Sequence, residues 1–374
     1  MTSLSQPNGL TRWVRPYCVT GTILLLLLRS SEVRSQDFTY ATNNGTVAIT
    51  RYIGPGGAVT IPGTVGSLPV TGIGAEAFLS STIVTSVTIP DSVTYIGYAA
   101  FQSTSLGSVI IPESVTNIDD YAFNGCPNLT NLTILDSHTA IGQWAFQNCQ
   151  SLQHVSLGLN LISIGAAAFA GCTSLTNLTI PDSVTGIQDG VFELGGGIGA
   201  FTGCASLTNV AIPEGVARIG YYAFSDCQAL TSITIPRSVT DIGFNAFDGC
   251  TNLSAVYFSG DAPGLEWDVV KDMKTTIYYL PGTMGWGSTF GGFPTALWQP
   301  QFQIDDLGAR TNGFGFSISW ASAMTVVLEA STNLTNPTWI PLATNTLSSG
   351  WSYFRDPQWT DYPARFYRVR VRWQ

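Results

Sequence analysis

A phenylalanine returns at an almost constant interval through the middle of this chain. The gaps between successive copies are 23, 22, 23, 23, 32, 23 and 23 residues, and the copies are Phe78, Phe101, Phe123, Phe146, Phe169, Phe201, Phe224 and Phe247. A fixed period of this length is typical of a solenoid, in which one small unit stacks on the next. We therefore predict about eight stacked repeats of 23 residues with the phenylalanines in the core.

Each repeat also carries a short apolar alternation that predicts a strand. Leu178 and Ile180 face one side and Asn177 and Thr179 the other, because successive side chains of a strand alternate between its faces. We call the polar positions on the outward, concave side of this predicted sheet the outer stripe. Its members are Asn131, Thr133, His154, Ser156, Asn177, Thr179, Asn209, Ser232, Thr234 and Tyr257.

The repeat reads I-P-x-S-V-T-x-I-G-x-x-A-F-x-x-C, and it stands almost unchanged from Ile235 to Cys250. This motif resembles the BspA-like bacterial surface branch of the leucine-rich repeats, and the resemblance covers about residues 59–258. It implies a leucine-rich-repeat solenoid, mainly β with short helical or irregular convex segments. It also implies an exported or surface-held protein that engages other proteins or surfaces.

The N-terminal residues 1–35 are predicted to be a signal peptide. Arg12 and Arg15 precede an apolar run of 12 residues at 17–28, which suits a signal sequence and is short for a membrane span. An uncleaved anchor is the alternative. After cleavage no transmembrane span is expected, so the prediction is a secreted or cell-surface protein, and a monomer.

The rest of the chain divides into four predicted parts. Asn44-Gly45 indicates a hairpin turn near the start, and the last 74 residues contain short strands separated by turn signals. The parts are an N-terminal β-hairpin cap at 36–60, the solenoid at 61–256, a C-terminal cap at 257–300 and a small antiparallel β-sandwich at 301–374.

The charge distribution argues against nucleic acid as a partner. Charged residues make up 10% of the chain, and residues 36–300 carry five basic against 18 acidic side chains. Binding to phosphates requires clustered Lys and Arg. Protein or surface glycan is therefore the expected partner.

Six cysteines follow repeat phenylalanines at a constant offset of three residues. An exported chain with an even set could form disulfides, but in-register stacking leaves neighbouring Cβ atoms about 5 Å apart, against the preferred ~3.8 Å. A structural ladder of buried thiols is the favoured interpretation. Its members are Cys126, Cys149, Cys172, Cys204, Cys227 and Cys250.

No catalytic, metal-binding or cofactor site is predicted. His138 and His154 lack nearby partners in the sequence, and general acid–base catalysis needs paired carboxylates or a tuned histidine. A glycan-active enzyme remains as a lesser hypothesis. It would use Asp261, Glu266 and Asp268 near Trp267.

The 32-residue gap places nine extra residues at 191–199, including Phe192, Glu193 and Leu194. Flanking strands keep their register only if this segment loops out, and a loop on a rigid scaffold suits a specificity element. The alternative is repeat slippage, with Phe192 a decayed copy of Phe201.

The sequence thus predicts a non-enzymatic protein-binding or adhesion module that acts through the outer stripe. A structural envelope spacer without a specific ligand is the alternative. On the last strand, Arg368, Arg370 and Arg372 share one face and either protect an exposed edge or hold an anionic polymer.

Overall fold

The computed structural model describes residues 37–193, 196–265, 274–310, 313–321, 324–348 and 350–371. These residues form a mainly β solenoid of about ten turns, followed by antiparallel sheets. One continuous hydrophobic core runs from Phe38 to Ile277. The predicted solenoid and the small β-sandwich are both confirmed.

Five strands begin the solenoid, namely β1 (Phe38–Asn43), β2 (Thr46–Tyr52), β3 (Gly57–Thr60), β4 (Thr64–Val65) and β5 (Leu68–Ile73). β1 and β2 form an antiparallel hairpin. Its turn residues Asn44 and Gly45 have φ angles of 47° and 81°, and a two-residue hairpin turn favours this left-handed backbone. The Tyr52 ring stacks on Phe78 with centroids 5.2 Å apart, so the hairpin covers the first repeat phenylalanine.

Each following turn contributes one longer strand and one two-residue strand or bridge. In chain order the strands are β6 (Val84–Thr88), β7 (Tyr95–Ile96), β8 (Ser108–Ile111), β9 (Asn117–Ile118), β10 (Asn131–Ile134), β11 (Ala140–Ile141), β12 (His154–Ser156), β13 (Ser163–Ile164), β14 (Asn177–Thr179), the inserted β15 (Val191–Glu193) and β16 (Gly196–Ile198), β17 (Asn209–Ala211), β18 (Arg218–Ile219), β19 (Ser232–Ile235), β20 (Asp241–Ile242), β21 (Ala255–Phe258) and β22 (Gly264–Leu265).

The longer strands stack in parallel as one ladder and the two-residue strands as another; we call them the long ladder and the short ladder. Asn131 pairs with His154 in the long ladder and Ala140 with Ser163 in the short one. The short ladder continues through single bridges at Ile187. The long ladder is divided into four sheets, with breaks between β6 and β8, β12 and β14, and β17 and β19.

The phenylalanine stack fills the space between the ladders. The eight rings are fully buried, and neighbouring centroids lie 4.7 to 5.7 Å apart. Burying one such side chain stabilises the fold by about 1.5–3 kcal/mol. The fixed period in the sequence therefore corresponds to one ring per turn.

Seven of the eight repeats have a left-handed backbone two residues before and two residues after the phenylalanine, whereas around Phe201 only Gly203 has it. Around Phe123 these are Tyr121 and Gly125, with φ of 59° and 67°. The amides of Tyr121, Phe123 and Gly125 all donate to carbonyl oxygens of the next turn. The third side of each turn has no strands, and these hydrogen bonds pair its backbone amides. Buried amides need such partners.

The long ladder extends beyond residue 256 into the segment predicted to be a cap. The strands here are β23 (Thr276–Tyr279), β24 (Thr289–Phe290) and β25 (Phe293–Leu297). β21, β23 and β25 are parallel and in register. Trp286, Phe290 and Phe293 pack against the last part of the core, so the segment both lengthens and closes the solenoid.

The C-terminal strands are β26 (Gln301–Arg310), β27 (Gly313–Ser319), β28 (Thr325–Ser331), β29 (Ile340–Thr346), β30 (Trp351–Asp356) and β31 (Phe366–Val371), with a 3-10 helix at Trp359–Asp361. They form two antiparallel sheets, ordered β26-β27-β30 and β29-β28-β31. Their shared core also contains Leu280 of the solenoid. In addition, Trp320 Nε1 donates to the Trp298 carbonyl oxygen at 3.0 Å. The sandwich is thus joined to the solenoid through a common core.

The sandwich holds a buried carboxylate on its central strand. Glu329 is 5% exposed and accepts hydrogen bonds of 2.7 Å from Arg368 Nε and Arg370 Nε. Burial alone would raise the pKa of Glu329, but these hydrogen bonds hold it below its ordinary value. Two of the three arginines predicted on one face therefore pair within the sheet, on the edge strand β31; Arg372 lies outside the described residues.

Candidate functional site

The outer stripe lies along the solvent side of the long ladder. Thr133 and Tyr257 are partly buried and the other eight members are exposed. Between them the ladder buries apolar residues such as Leu132 and Leu178. The stripe is therefore a surface that a partner can reach without any rearrangement of the core.

A groove crosses the stripe where β12 and β14 belong to separate sheets. Its volume is about 280 Å³. On the β12 side, Gly158 approaches the previous turn so closely that a Cβ would lie 2.1 Å from the Leu135 carbonyl oxygen. The groove is lined by Asn131, Leu132, Thr133, Gln153, His154, Val155, Ser156, Thr176, Asn177 and Thr179.

Six of the ten predicted stripe residues thus meet in one groove, and the other four lie elsewhere on the ladder. Gln153 and Thr176 were not predicted, although each directly precedes a stripe residue. Sequence reasoning assumed a continuous ladder. The turn lengths gave no signal for the break, although Gly158 replaces the strand-ending proline of most other repeats there.

The groove offers neutral hydrogen-bonding groups. Asn131 Nδ2 donates to Thr130 Oγ1 at 2.7 Å, and Asn177 Nδ2 donates to Thr176 Oγ1 at 3.0 Å. Each amide is fixed by this bond, and its oxygen remains as an acceptor. The lining residues include no carboxylate, lysine or arginine, and His154 is the titratable side chain among them.

The C-terminal end of the stripe is aromatic. Tyr257 stacks on Tyr278 with centroids 4.9 Å apart, and Trp298 lies 4.8 Å from Tyr257. Burial, followed by the neighbouring Tyr278, raises the pKa of Tyr257. Tyr278 and Trp298 were missed because the ladder was predicted to end near residue 256.

The insertion forms an antiparallel β-hairpin in which Val191 pairs with Ile198 and Phe192 with Gly197. Phe192 is 67% exposed, and its ring meets Tyr222 edge-on at 5.7 Å. A Cβ on Gly197 would lie 1.9 Å from the Tyr222 ring, so glycine allows this contact. The side chain of Glu193 and all of Leu194 lie outside the described residues.

The hairpin borders a different groove from that of the outer stripe. Val191 lines a depression of about 540 Å³ with Ile162, Ser163, Ile187 and Arg218, which belong to or adjoin the short ladder. Within the described residues, the insertion and the stripe therefore do not converge on one surface.

The six ladder cysteines are free and buried. Each thiol donates to the carbonyl oxygen of the phenylalanine one turn earlier: Cys126 to Phe101 at 3.2 Å and Cys250 to Phe224 at 3.0 Å. Burial raises the pKa of Cys204 to about 12. A protonated, inaccessible thiol such as that of Cys204 is a poor nucleophile and a poor metal ligand.

The remaining candidates for chemistry are separate from one another. Asp261 Oδ1 accepts a hydrogen bond of 2.7 Å from the Met284 amide, while Glu266, Trp267 and Asp268 lie outside the described residues. His138 is exposed. Across the described ranges, no group of three or more His, Cys, Asp or Glu could hold a metal ion. In that same part of the chain, no helix is long and apolar enough to cross a membrane.

Comparison with known proteins agrees with this architecture. Residues 71–195 and 197–281 match, in six copies, the family described as BspA type leucine rich repeat region. A search of curated proteins gives no match.

Among solved structures, the chain is similar to the leucine rich repeat protein TpLRR of T. pallidum, with 28% identity over 59% of this chain and 90% of that one, and a TM-score of 0.48. It is also similar to a leucine-rich repeat protein from Bacteroides ovatus, with 24% identity over 66% of this chain and 71% of that one, and a TM-score of 0.45.

Proposed function

Because the chain belongs to the BspA-type leucine-rich repeat family, we propose that it is a protein-binding module that acts at the cell surface through the groove in its outer stripe. Members of this family are typically surface-associated or secreted, and they are generally non-enzymatic. The observation that carries the proposal is the groove of about 280 Å³ where β12 and β14 separate.

The chemistry of the groove supports recognition by many weak contacts. Its fixed amides and hydroxyls can bond to the backbone of a partner protein, and one such bond contributes about 0.5–1.5 kcal/mol net. The aromatic residues Tyr257, Tyr278 and Trp298 add a larger apolar contact at the end of the stripe, of the kind that anchors interfaces. Since the groove has no charged lining, binding should depend little on salt.

A binding screen with a matched pair of variants tests this proposal. The protein is presented to envelope and matrix proteins and to glycans, and any saturable partner is titrated against Asn177→Ala and Asn209→Ala. These asparagines are exposed register partners on β14 and β17, but only Asn177 lines the groove. We expect a five- to tenfold loss of affinity for Asn177→Ala and less than twofold for Asn209→Ala.

Three other outcomes would contradict the proposal. A protein partner held equally well by both variants would place recognition elsewhere. Failure to bind any protein or glycan would favour the structural spacer. A glycan partner that is lost with Asn177→Ala would keep the site and change the partner class.

A further inference from the structure

A second cleft lies between the edge of the solenoid and the C-terminal sandwich. Its volume is about 1020 Å³, at the upper end of the roughly 300–1,000 Å³ common for ligand sites. Glu214, Arg237, Ser238 and Asp261 line the solenoid side, and Met324 and Val371 line the sandwich side. Clefts between domains are frequent ligand sites, and this one is distinct from the outer stripe.

The charge at one repeat position changes from negative to positive beside this cleft. The residue after the strand-ending proline is acidic at Asp91, Glu113, Asp182 and Glu214, but it is Arg237 in the repeat beside the sandwich. Arg237 is exposed. Arg237 therefore adds a guanidinium to a cleft that Glu214 and Asp261 also line.

The next residue in the same repeat also differs from its equivalents. Ser92, Ser114 and Ser183 each donate to a carbonyl oxygen of the preceding turn, at 3.2, 2.6 and 2.7 Å. Ser238 holds the same repeat position and lines the cleft. Its hydroxyl is buried and has no hydrogen-bond partner in the described residues. A ligand in the cleft can supply the missing partner if the Ser238 side chain turns towards it.

The charged, polar and apolar side chains of the cleft favour some classes of ligand over others. Two carboxylates accept hydrogen bonds, a guanidinium and a serine hydroxyl donate them, and Met324 and Val371 add an apolar wall. Sugar hydroxyls both donate and accept, and the C–H faces of a sugar suit an apolar wall. A polyanion fits poorly, since residues 36–300 carry five basic against 18 acidic side chains.

We propose that this cleft binds a short neutral oligosaccharide. Arg237 donates to ring or glycosidic oxygens, Glu214 accepts from sugar hydroxyls, and Ser238 gains the partner that its equivalents find in the backbone. Asp261 contributes its second carboxylate oxygen, because Oδ1 already accepts from the Met284 amide.

The test uses the intact protein on an array of neutral gluco-, manno-, galacto- and xylo-oligosaccharides, with polygalacturonate as the acidic probe. The best-retained neutral oligosaccharide is then titrated by calorimetry against Arg237→Ala, Glu214→Gln and Glu113→Gln. Glu113 is the matched control, because it is exposed and holds the same repeat position as Glu214 outside the cleft. We expect at least a tenfold loss for the first two variants and less than twofold for Glu113→Gln.

Asn177→Ala separates this site from the outer stripe, and it should leave oligosaccharide binding unchanged. Retention of no neutral oligosaccharide would overturn the proposal, as would equal binding by Arg237→Ala and the unaltered protein. A preference for polygalacturonate that disappears with Arg237→Ala would also overturn it, by identifying an anion site instead.

Discussion

The ladder cysteines show how a buried polar atom is accommodated in every turn. A thiol at this position fills a small apolar space and donates to the carbonyl oxygen of the phenylalanine one turn back. Thr104 stands three residues after Phe101, and its hydroxyl donates at 2.9 Å to the carbonyl oxygen of Phe101 in its own turn, which is also the acceptor for the Cys126 thiol. Each of these side chains is therefore a compact donor to a phenylalanine carbonyl oxygen.

The raised thiol pKa predicts an alkaline loss of stability. The pKa of Cys204 is raised from 9.0 to about 12 by burial. The contribution of this thiol to the free energy of unfolding is therefore complete below pH 9 and is lost as the pH rises towards 12. One such group changes the unfolding free energy by at most about 1.4 kcal/mol per pH unit.

Cys204→Ala removes this titration. Denaturant unfolding of both proteins between pH 8 and 11 should show the stability difference between them shrinking as pH rises above 9. A constant difference over that range would mean that the thiol titrates normally in the folded chain.

Asp226 occupies a left-handed position that glycine fills in four other repeats. Its φ is 57°, and the equivalents are Gly125, Gly171, Gly203 and Gly249. Burial and then Asp248 raise the pKa of Asp226, so its folded-state penalty appears as pH rises above its unfolded pKa. Asp226→Gly should therefore stabilise the protein at pH 7, by up to about 1 kcal/mol from the backbone alone, and by less at pH 3.

Asp248→Asn serves as the control for the Asp226 prediction. It removes the neighbouring charge but leaves the left-handed aspartate, so it should reproduce part of the pH-dependent gain and none of the backbone gain. Thermal unfolding at pH 3 and pH 7 measures both. Destabilisation by Asp226→Gly at pH 7 would refute the prediction.

At the scale of elements, the inserted hairpin is tolerated because it pairs with itself. β15 and β16 satisfy each other's backbone, while the phenylalanine stack passes from Phe169 to Phe201 with centroids 5.7 Å apart. The hairpin meets the solenoid through glycines. A Cβ on Gly199 would lie 2.4 Å from the backbone of Tyr222.

This contact predicts that two glycine substitutions will affect stability to different extents. Gly199→Ala forces backbone to move and should destabilise the protein by about 1–3 kcal/mol. Gly186→Ala meets no atom within 4 Å and should change stability little. Urea unfolding compares the two, and hydrogen exchange at residues 196–198 reports whether the hairpin detaches. Equal stability of the two variants would show that the close approach is absent.

Most of the repeat elements could be predicted, because the phenylalanine period and the apolar alternation of the strands indicate directly which side chains are buried. Phe123 and Leu132 are buried as their repeat positions require. The left-handed backbone at Tyr121 and Trp144 could not be predicted, since bulky residues rarely adopt it. The groove could not be predicted either: Gly158 replaces the repeat proline beside it, but the break between β12 and β14 depends on how the two turns pack.

The residue that pairs with the C-terminal arginines could not be predicted, for a different reason. Arg368 and Arg370 were visible as a pattern, but Glu329 lies about 40 residues away in the sequence and meets them only through strand pairing. Similarly, Tyr278 joins the outer stripe because β23 continues the ladder. The local sequence predicts which side chains share a face of a strand. Which other strands lie beside it is decided by the topology of the sheet.

At the scale of the whole molecule, the solenoid and the sandwich share a core at Leu280. Leu280 is 1% exposed and packs with sandwich residues. Leu280→Ala should destabilise the protein by about 2–5 kcal/mol and lower the unfolding temperature of the sandwich as well as that of the last turns. Leu297→Ala is the control, since Leu297 is 44% exposed.

Tryptophan fluorescence and far-ultraviolet circular dichroism follow the two parts during heating. Both signals should shift together in Leu280→Ala. The segment 36–300 alone should also melt at a lower temperature than the full protein, because it loses the sandwich that covers Leu280. Unchanged melting of 36–300 would show that the shared core contributes nothing to the solenoid.

The stacking of turns also determines how the protein responds to a pulling force. Hydrogen bonds between turns lie along the solenoid axis, so tension at the two ends loads them one turn after another. A released turn of 23 residues lengthens the chain by about 75 Å, whereas it occupied only ~4.8 Å in the stack. Single-molecule extension should therefore give regular steps, starting where the long ladder is interrupted. Held at its two ends, such a molecule would lengthen turn by turn under load.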